Sequence, residues 1–171
     1  YSKNTIWIVT FKSLTFSRRC TMIESNREIK KPSEKREIMP RFEASALRGY
    51  CVSVLTASGV ERSCAEAVAD ALIDAELTGV STHGVSRLAV YMQRMDAGVM
   101  SRENNIRIVR ESTSTLVVDA GNSLGAAAAK FAMERCIAKA KETGCCFASV
   151  HSSNHFGTAS YYTRLAAAQD M

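Results

Sequence analysis

Apolar residues recur at intervals of three and four between residues 42 and 98, the spacing of one helix face. Three helices are predicted, each followed by a glycine: residues 42–55 before Gly59, residues 63–78 before Gly79, and residues 85–97 before Gly98. The second helix opens with the pattern of a capping box, Ser63-Cys64-Ala65-Glu66. Residues 39–100 are therefore predicted to form a helical N-terminal unit.

The apolar period changes after residue 100 from helical to strand-like. Residues 106–110 and 115–120 are rich in β-branched side chains and are separated by a turn-like stretch, so they predict a β-hairpin. A loop, an alanine-rich helix and a short apolar strand at residues 145–150 follow. We expect an α/β fold whose layered domain begins at residue 101.

The last predicted helix starts near Thr158 and is expected to continue to Met171. One hairpin, one complete helix and one further strand cannot cover both faces of a sheet. We therefore interpret residues 101–171 as the first part of an α/β domain, and the chain as a fragment of a longer protein.

Basic residues are concentrated at the start of the chain. Residues 1–41 contain ten Lys and Arg against four Asp and Glu, whereas residues 42–171 contain 12 against 13. Because the periodic part is close to neutral, its charge does not predict a nucleic-acid partner. Residues 1–38 are expected to be a disordered leader, either a transit peptide or an upstream extension, because compact periodic sequence begins only after Pro40.

The cysteines do not form a recognisable metal or disulfide framework. None of the six belongs to a C-x-x-C pair or to a zinc-type spacing with histidine: Cys20, Cys51, Cys64, Cys136, Cys145 and Cys146. They are predicted to be buried free thiols in a reducing compartment. No apolar run approaches the roughly 20 residues that span a bilayer. We expect a cytoplasmic protein without a membrane partner, or a mitochondrial one if residues 1–38 target it.

The polar loop at residues 152–157 follows the predicted buried strand and precedes a helix. Open α/β sheets bind ligands at the carboxyl ends of their strands, so His155 is a candidate for proton transfer. Asn154 could orient its ring, and Gly157 would allow close backbone approach by a ligand. A histidine bonded only to backbone is the structural alternative for an isolated His155.

A second polar cluster, residues 79–87, leads into the third predicted helix. His83 and Arg87 are four residues apart at the helix entrance and can point the same way. The planar guanidinium matches a carboxylate at two points, and free N–H groups of the first turn add positive potential. Gly84 indicates an unusual backbone there. The alternative is a surface Arg87 that is solvated or paired with Asp96 or another acid.

Other motifs favour structural interpretations. His151 and His155 lack a third ligand, so no metal site is predicted. The glycine-bracketed loop at residues 121–125 lacks the Gly-Lys-Ser/Thr ending of a phosphate loop and is predicted to be a turn. Tyr91 and the methionines of the third helix are assigned to the core.

Taken together, the motifs resemble those of the malate/L-lactate dehydrogenase family of type 2, which includes ureidoglycolate, sulfolactate and piperideine-2-carboxylate enzymes. The resemblance runs from about Met39 to Met171 and covers about the first half of such an enzyme. It rests on Thr78 to Leu88, Tyr91, Gly98, Gly121 to Gly125, Ser153 to Gly157, and Tyr161-Tyr162. It implies a non-Rossmann α/β layered domain with a mixed sheet. It also implies NAD- or NADP-dependent interconversion of a small 2-hydroxy acid and its 2-oxo acid by a homodimer, with this fragment inactive alone.

The resemblance also implies roles for individual residues. His155 would be the acid/base, and His83 and Arg87 would join it in catalysis. The implied substrate-binding residues are Arg87, His83, Thr82 and Asn154, and most cofactor contacts would lie beyond Met171. Ser81 and Thr82 replace the family's usual Asp-Ser, which leaves the environment of His83 open. The rival functions are a non-enzymatic binding protein with a basic arm and a histidine-based metallohydrolase.

Overall fold

The three helices of the N-terminal unit form close to their predicted bounds. The computed structural model describes residues 6–11 and 41–171. Its first helices are α1 (Ala44–Ala57), α2 (Arg62–Leu77) and α3 (Ser86–Asp96), with a 3₁₀ turn at Ser81–His83. The predicted capping box is wrong, because α2 begins one residue before Ser63. The Ser63 hydroxyl donates to the carboxylate of Glu61, and Glu66 pairs with Arg62.

A mixed sheet forms from the predicted hairpin and the predicted strand at residues 145–150, and residues 6–11 add a fourth strand that was not predicted. Its strands are β1 (Ile6–Phe11), β2 (Arg107–Glu111), β3 (Thr115–Asp119) and β4 (Cys145–His151), in the spatial order β1-β4-β3-β2. The hairpin β2–β3 is antiparallel, β3 and β4 are parallel, and β1 is antiparallel to β4. Helix α4 (Gly125–Thr143) connects the two parallel strands, so the loops after β3 and β4 lie at the same edge.

Strand β1 comes from the segment that was expected to be a disordered leader. Ile6–Phe11 pairs along β4, with Ile8 opposite Ala148, and Ile8 and Thr10 are buried. The prediction of disorder is therefore wrong for these six residues. Their apolar, β-branched run forms a strand that hydrogen-bonds to the backbone N–H and C=O groups along the open edge of β4. The rest of the predicted leader lies outside the described residues.

Alanine allows α4 to lie against both the sheet and α2. Six of its alanines are buried: Ala126, Ala127, Ala128, Ala129, Ala132 and Ala140. They belong to the same hydrophobic core as Leu55 and Leu72 of the helical unit and Leu116 of the sheet. The helical unit and the α/β layer are therefore packed as one body around shared apolar side chains.

The end of the chain differs from its prediction. Helix α5 (Ala159–Ala167) stops before Met171, so the expected continuation to the last residue is wrong. All five described cysteines are free thiols, and all are buried except Cys145. Within residues 6–11 and 41–171, no helix is long and apolar enough to cross a membrane.

Candidate active site

The His155 loop is held in shape by its own flanking residues. The hydroxyl of Tyr162, on α5, donates to the carbonyl of Phe156, and their rings lie 5.7 Å apart. Gly157 has a φ of +83°, a left-handed conformation that side chains rarely adopt. A Cβ there would have only one protein atom within 4 Å, on Ala71 at 3.9 Å, so the positive φ is the reason for glycine that the described residues show.

Asn154 secures the loop from below and does not contact the ring of His155. Its side-chain N–H groups donate to the carbonyls of Asn122 and Ser123 at 2.9 and 3.0 Å, and its Oδ1 accepts from Arg94 at 3.3 Å. The side chain is buried and fully engaged. It therefore joins the loops after β3 and β4, while the sequence predicted a partner for the imidazole and for substrate.

The turn at residues 121–125 is structural, as predicted. The Ser123 hydroxyl is buried and donates to the carbonyl of Glu103 at 2.8 Å. The Asn122 N–H donates to the Ser152 carbonyl at 2.8 Å. Gly125, at the start of α4, lies so close to the His155 loop that a Cβ would be 2.2 Å from the carbonyl oxygen of Asn154. The loop therefore packs directly on the first turn of α4.

The second cluster forms a compact turn in which Thr82 holds the side chains of His83 and Arg87. Its hydroxyl lies 3.0 Å from Nδ1 of His83, and its carbonyl accepts a hydrogen bond from Nε of Arg87 at 2.6 Å. The alternative pairing of Arg87 is wrong, because Asp96 pairs with Arg102. In the described part of the chain no carboxylate forms an ion pair with Arg87. Its two terminal nitrogens remain available to an anion.

The fold brings the two clusters together. The rings of His83 and His155 have centroids 5.3 Å apart and are tilted by 31°. Tyr91, one turn along α3 from Arg87, has its hydroxyl 2.8 Å from Nδ1 of His155. Two imidazoles and a phenol therefore lie together at the junction between α3 and the loop after β4, and the guanidinium of Arg87 is near enough to lower the pKa of His155.

The electrostatics of this junction favour a neutral His155. Although the residue is exposed, protein atoms partly desolvate its ring, and this desolvation is the main cause that lowers its pKa below 6.5. The charges of Arg87 and His83 lower the pKa further. Burial raises the pKa of Tyr91 to about 12, so its hydroxyl stays protonated near neutral pH.

Tyr91 is the site residue that sequence reasoning missed. Its place on the apolar face of α3 correctly predicted a buried ring, which is 3% exposed. The missing signal was the spacing from Arg87: a residue four positions along the same helix faces the same way. A hydroxyl at a buried position also needs a partner, and His155 provides it.

His151 lies beside polar side chains at the ends of β3 and β4. Its Nδ1 lies 3.1 Å from the Ser152 hydroxyl and 3.7 Å from Oδ1 of Asp119. Across the residues that the structure describes, no three His, Cys, Asp or Glu side chains are grouped to hold a metal ion.

Both clusters lie inside a single match to a known family. The model of the malate/L-lactate dehydrogenase family matches residues 42–171. The chain belongs to this family. The sequence resemblance is thereby confirmed from the first helix of the helical unit to the end of the chain.

Named relatives and solved structures of the family agree with this assignment. L-sulfolactate dehydrogenase of Methanothermobacter thermautotrophicus is 39% identical over 134 residues, which are 78% of this chain and 38% of that protein. The structure of malate dehydrogenase from Pyrococcus horikoshii superposes with a TM-score of 0.74 at 37% identity, covering 76% of this chain and 37% of that one. The structure of malate dehydrogenase from Entamoeba histolytica superposes with a TM-score of 0.73 at 34% identity, covering 77% of this chain and 36% of that one.

The chain therefore spans less than two fifths of the length of these relatives, and less than the half that the resemblance indicated.

Proposed function

We propose that this chain contributes the substrate-binding and proton-transfer site of an NAD- or NADP-dependent 2-hydroxy acid dehydrogenase. The observation that carries the proposal is the convergence of Arg87, His83 and His155, from two distant parts of the chain, on one junction. The family membership supports the same reaction class. Malate, sulfolactate and related short acids are the substrates that we infer from the names of the relatives.

Arg87 is the group that binds the substrate carboxylate. Its Nε is already engaged by the Thr82 carbonyl, so the outer edge of the guanidinium, with two parallel N–H donors, is held ready for two carboxylate oxygens. His83 lies beside it, with its Nδ1 engaged by the Thr82 hydroxyl and its Nε2 left for the substrate. This pair fixes the orientation of an acid whose C2 oxygen then reaches His155.

His155 transfers the proton of the C2 oxygen. In the oxidising direction the neutral imidazole accepts the hydroxyl proton while a hydride leaves C2, and in the reducing direction the imidazolium returns it to the carbonyl oxygen. The Tyr91 hydroxyl orients the ring through Nδ1, so the free Nε2 is the reacting nitrogen. The charge of Arg87 lowers the pKa of His155. A carboxylate bound to Arg87 offsets that charge and so promotes the protonated form of His155.

The chemistry of the described residues fits one half of a hydride-transfer site. They supply an anion clamp and a proton carrier, and the proton carrier His155 is exposed. A nicotinamide, when bound, would supply or accept the hydride. NAD and NADP are both compatible with these side chains.

We further propose a homodimer, as the family resemblance implies, and a cytoplasmic location. The five described cysteines are free thiols, which is consistent with a reducing compartment.

The experiment measures NAD(P)H oxidation with oxaloacetate, pyruvate and sulfopyruvate. It is run on this chain alone, which we propose is inactive, and on any longer product of its coding sequence. In the active form His155→Gln should lower kcat by roughly a hundredfold or more, the usual contribution of an acid/base. His151→Gln, four residues away, is the matched control. Full activity in the His155 variant would refute the proposal.

A further inference from the structure

Glu76 occupies a position that is unfavourable for its own helix. It lies in the last turn of α2, where the helix dipole is negative and a carboxylate is destabilising. No basic residue in that turn compensates the charge. A compensating interaction must therefore come from another element.

The compensating partner is the start of α3. Oε1 of Glu76 accepts a hydrogen bond from the N–H of Val85 at 2.8 Å. Val85 is the residue that precedes α3, and its own side chain makes no capping hydrogen bond. The carboxylate of Glu76 therefore serves as the N-terminal cap of α3 from a neighbouring helix, at the end where the dipole favours negative charge.

Gly84 makes room for this carboxylate. A Cβ at Gly84 would lie 2.1 Å from Oε1 of Glu76 and 2.4 Å from its Cδ. The φ of Gly84 is −86°, which any residue adopts, so the unusual backbone predicted at this glycine is not found. Lack of space beside Glu76 is the reason for glycine here.

We propose that Glu76 is a positioning residue for His83 and Arg87, an inference that rests on the proposed function. The N–H of Arg87 donates to the Gly84 carbonyl at 2.9 Å, and its Nε donates to the Thr82 carbonyl. Both anchors of Arg87 thus belong to the turn that the Glu76 carboxylate ties down at Val85. Glu76 acts through this turn and does not touch substrate.

The test compares Glu76→Ala, Glu76→Gln and Gly84→Ala by NMR titration with oxalate, a small dianion resembling the carboxylate end of a 2-oxo acid. Loss of a helix cap predicts roughly 3- to 30-fold weaker binding for Glu76→Ala. The glutamine keeps an acceptor oxygen and should recover most of the affinity. Glu66→Ala, on the exposed side of α2, is the matched control. In the active enzyme the same loss should appear in KM more than in kcat.

Gly84→Ala should reproduce the loss, because the new methyl group pushes the flexible carboxylate away from Val85. The double variant Glu76→Ala/Gly84→Ala should then bind oxalate no more weakly than Glu76→Ala, since both changes remove one contact. Additive losses, or a Glu76→Ala variant that binds as tightly as the parent chain, would overturn the proposal.

Two further outcomes have separate meanings. If the unsubstituted chain binds no oxalate, the proposed function fails. The positioning role of Glu76 is then tested by the rate at which the Nε–H of Arg87 exchanges its hydrogen with water. That exchange should accelerate in Glu76→Ala if Glu76 holds the turn, and an unchanged rate would overturn the inference. If Glu76→Ala does not fold, Gly84→Ala and Glu76→Gln decide by the same titration.

Discussion

The hydroxyl of Tyr91 lies 2.8 Å from Nδ1 of His155 and joins the middle of α3 to the loop after β4. The two residues are 64 positions apart in the chain. One is part of the hydrophobic core and the other is exposed, so the contact connects the rigid interior of the protein to the side chain that we propose transfers the proton. The orientation of the imidazole thereby depends on the packing of α3.

Replacing Tyr91 with phenylalanine should loosen the His155 ring without disturbing the core. The phenylalanine ring fills the same volume, whereas the hydrogen bond to Nδ1 is lost, which we expect to lower kcat by about 2- to 12-fold. Ring-nitrogen chemical shifts of His155 should move towards a mixture of tautomers. Tyr50→Phe, which removes an exposed hydroxyl from α1, is the control and should leave both quantities unchanged. Unaltered His155 shifts in Tyr91→Phe would contradict the assigned contact.

The environment of His155 also predicts how anion binding depends on pH. Desolvation, Arg87 and His83 keep the pKa of His155 below 6.5. A carboxylate bound at Arg87 opposes the cationic contribution and favours the imidazolium, so the pKa should rise when oxalate is added. By linkage, oxalate should bind more tightly as the pH is lowered through and below 6.5.

This pH dependence is measured by following the His155 ring protons in NMR titrations with and without oxalate. In Arg87→Gln the pKa should begin higher than in the parent chain, because a cation has been removed. Oxalate should then change it little. A pKa that falls on adding oxalate would disprove the coupling between the two residues.

The helices and strands could be predicted from the sequence because their signals are local. The helical spacing of apolar residues and the glycines that follow each helix located α1 to α3. The strand-like spacing of apolar residues located the hairpin within a few residues. The pairing of β1 with β4 could not be predicted in this way, since Ile6–Phe11 lies more than 130 residues before its partner. Long-range pairing depends on which sheet edge is open, which no local pattern records.

At the site, the sequence identified most of the residues and misjudged several of their contacts. His155, His83 and Arg87 do converge, because the loop after β4 and the start of α3 lie against each other. Asn154 was expected beside His155 and instead bonds across to Asn122. Which neighbour a polar side chain meets is decided by tertiary packing, so residue type at a loop position predicts involvement better than it predicts the partner.

The guanidinium shape of Arg87 should matter as well as its charge. Arg87→Lys keeps the cation but loses the planar pair of donors and the Nε bond to the Thr82 carbonyl, so oxalate affinity should fall roughly tenfold or more. Arg62→Lys is the matched control, because Arg62 is an exposed α2 residue in an i,i+4 pair with Glu66. Titration calorimetry measures the oxalate affinity of the two variants. Equal affinities would exclude Arg87 as a bidentate carboxylate ligand.

Two glycines of this chain should respond in opposite directions to the same methyl group. At Gly125 a Cβ would lie 2.2 Å from the backbone oxygen of Asn154, and backbone cannot swing aside, so Gly125→Ala should lower the free energy of unfolding by about 1–3 kcal/mol. Gly49 is an exposed residue inside α1, and a Cβ there would meet nothing within 4 Å. Gly49→Ala should therefore raise the free energy of unfolding by about 0.5–1 kcal/mol. Urea unfolding measures both. Gly125→Ala should also shift the NMR resonances of His155, because the clash moves the loop that carries this histidine. A stable variant with unshifted resonances would show that α4 does not position His155.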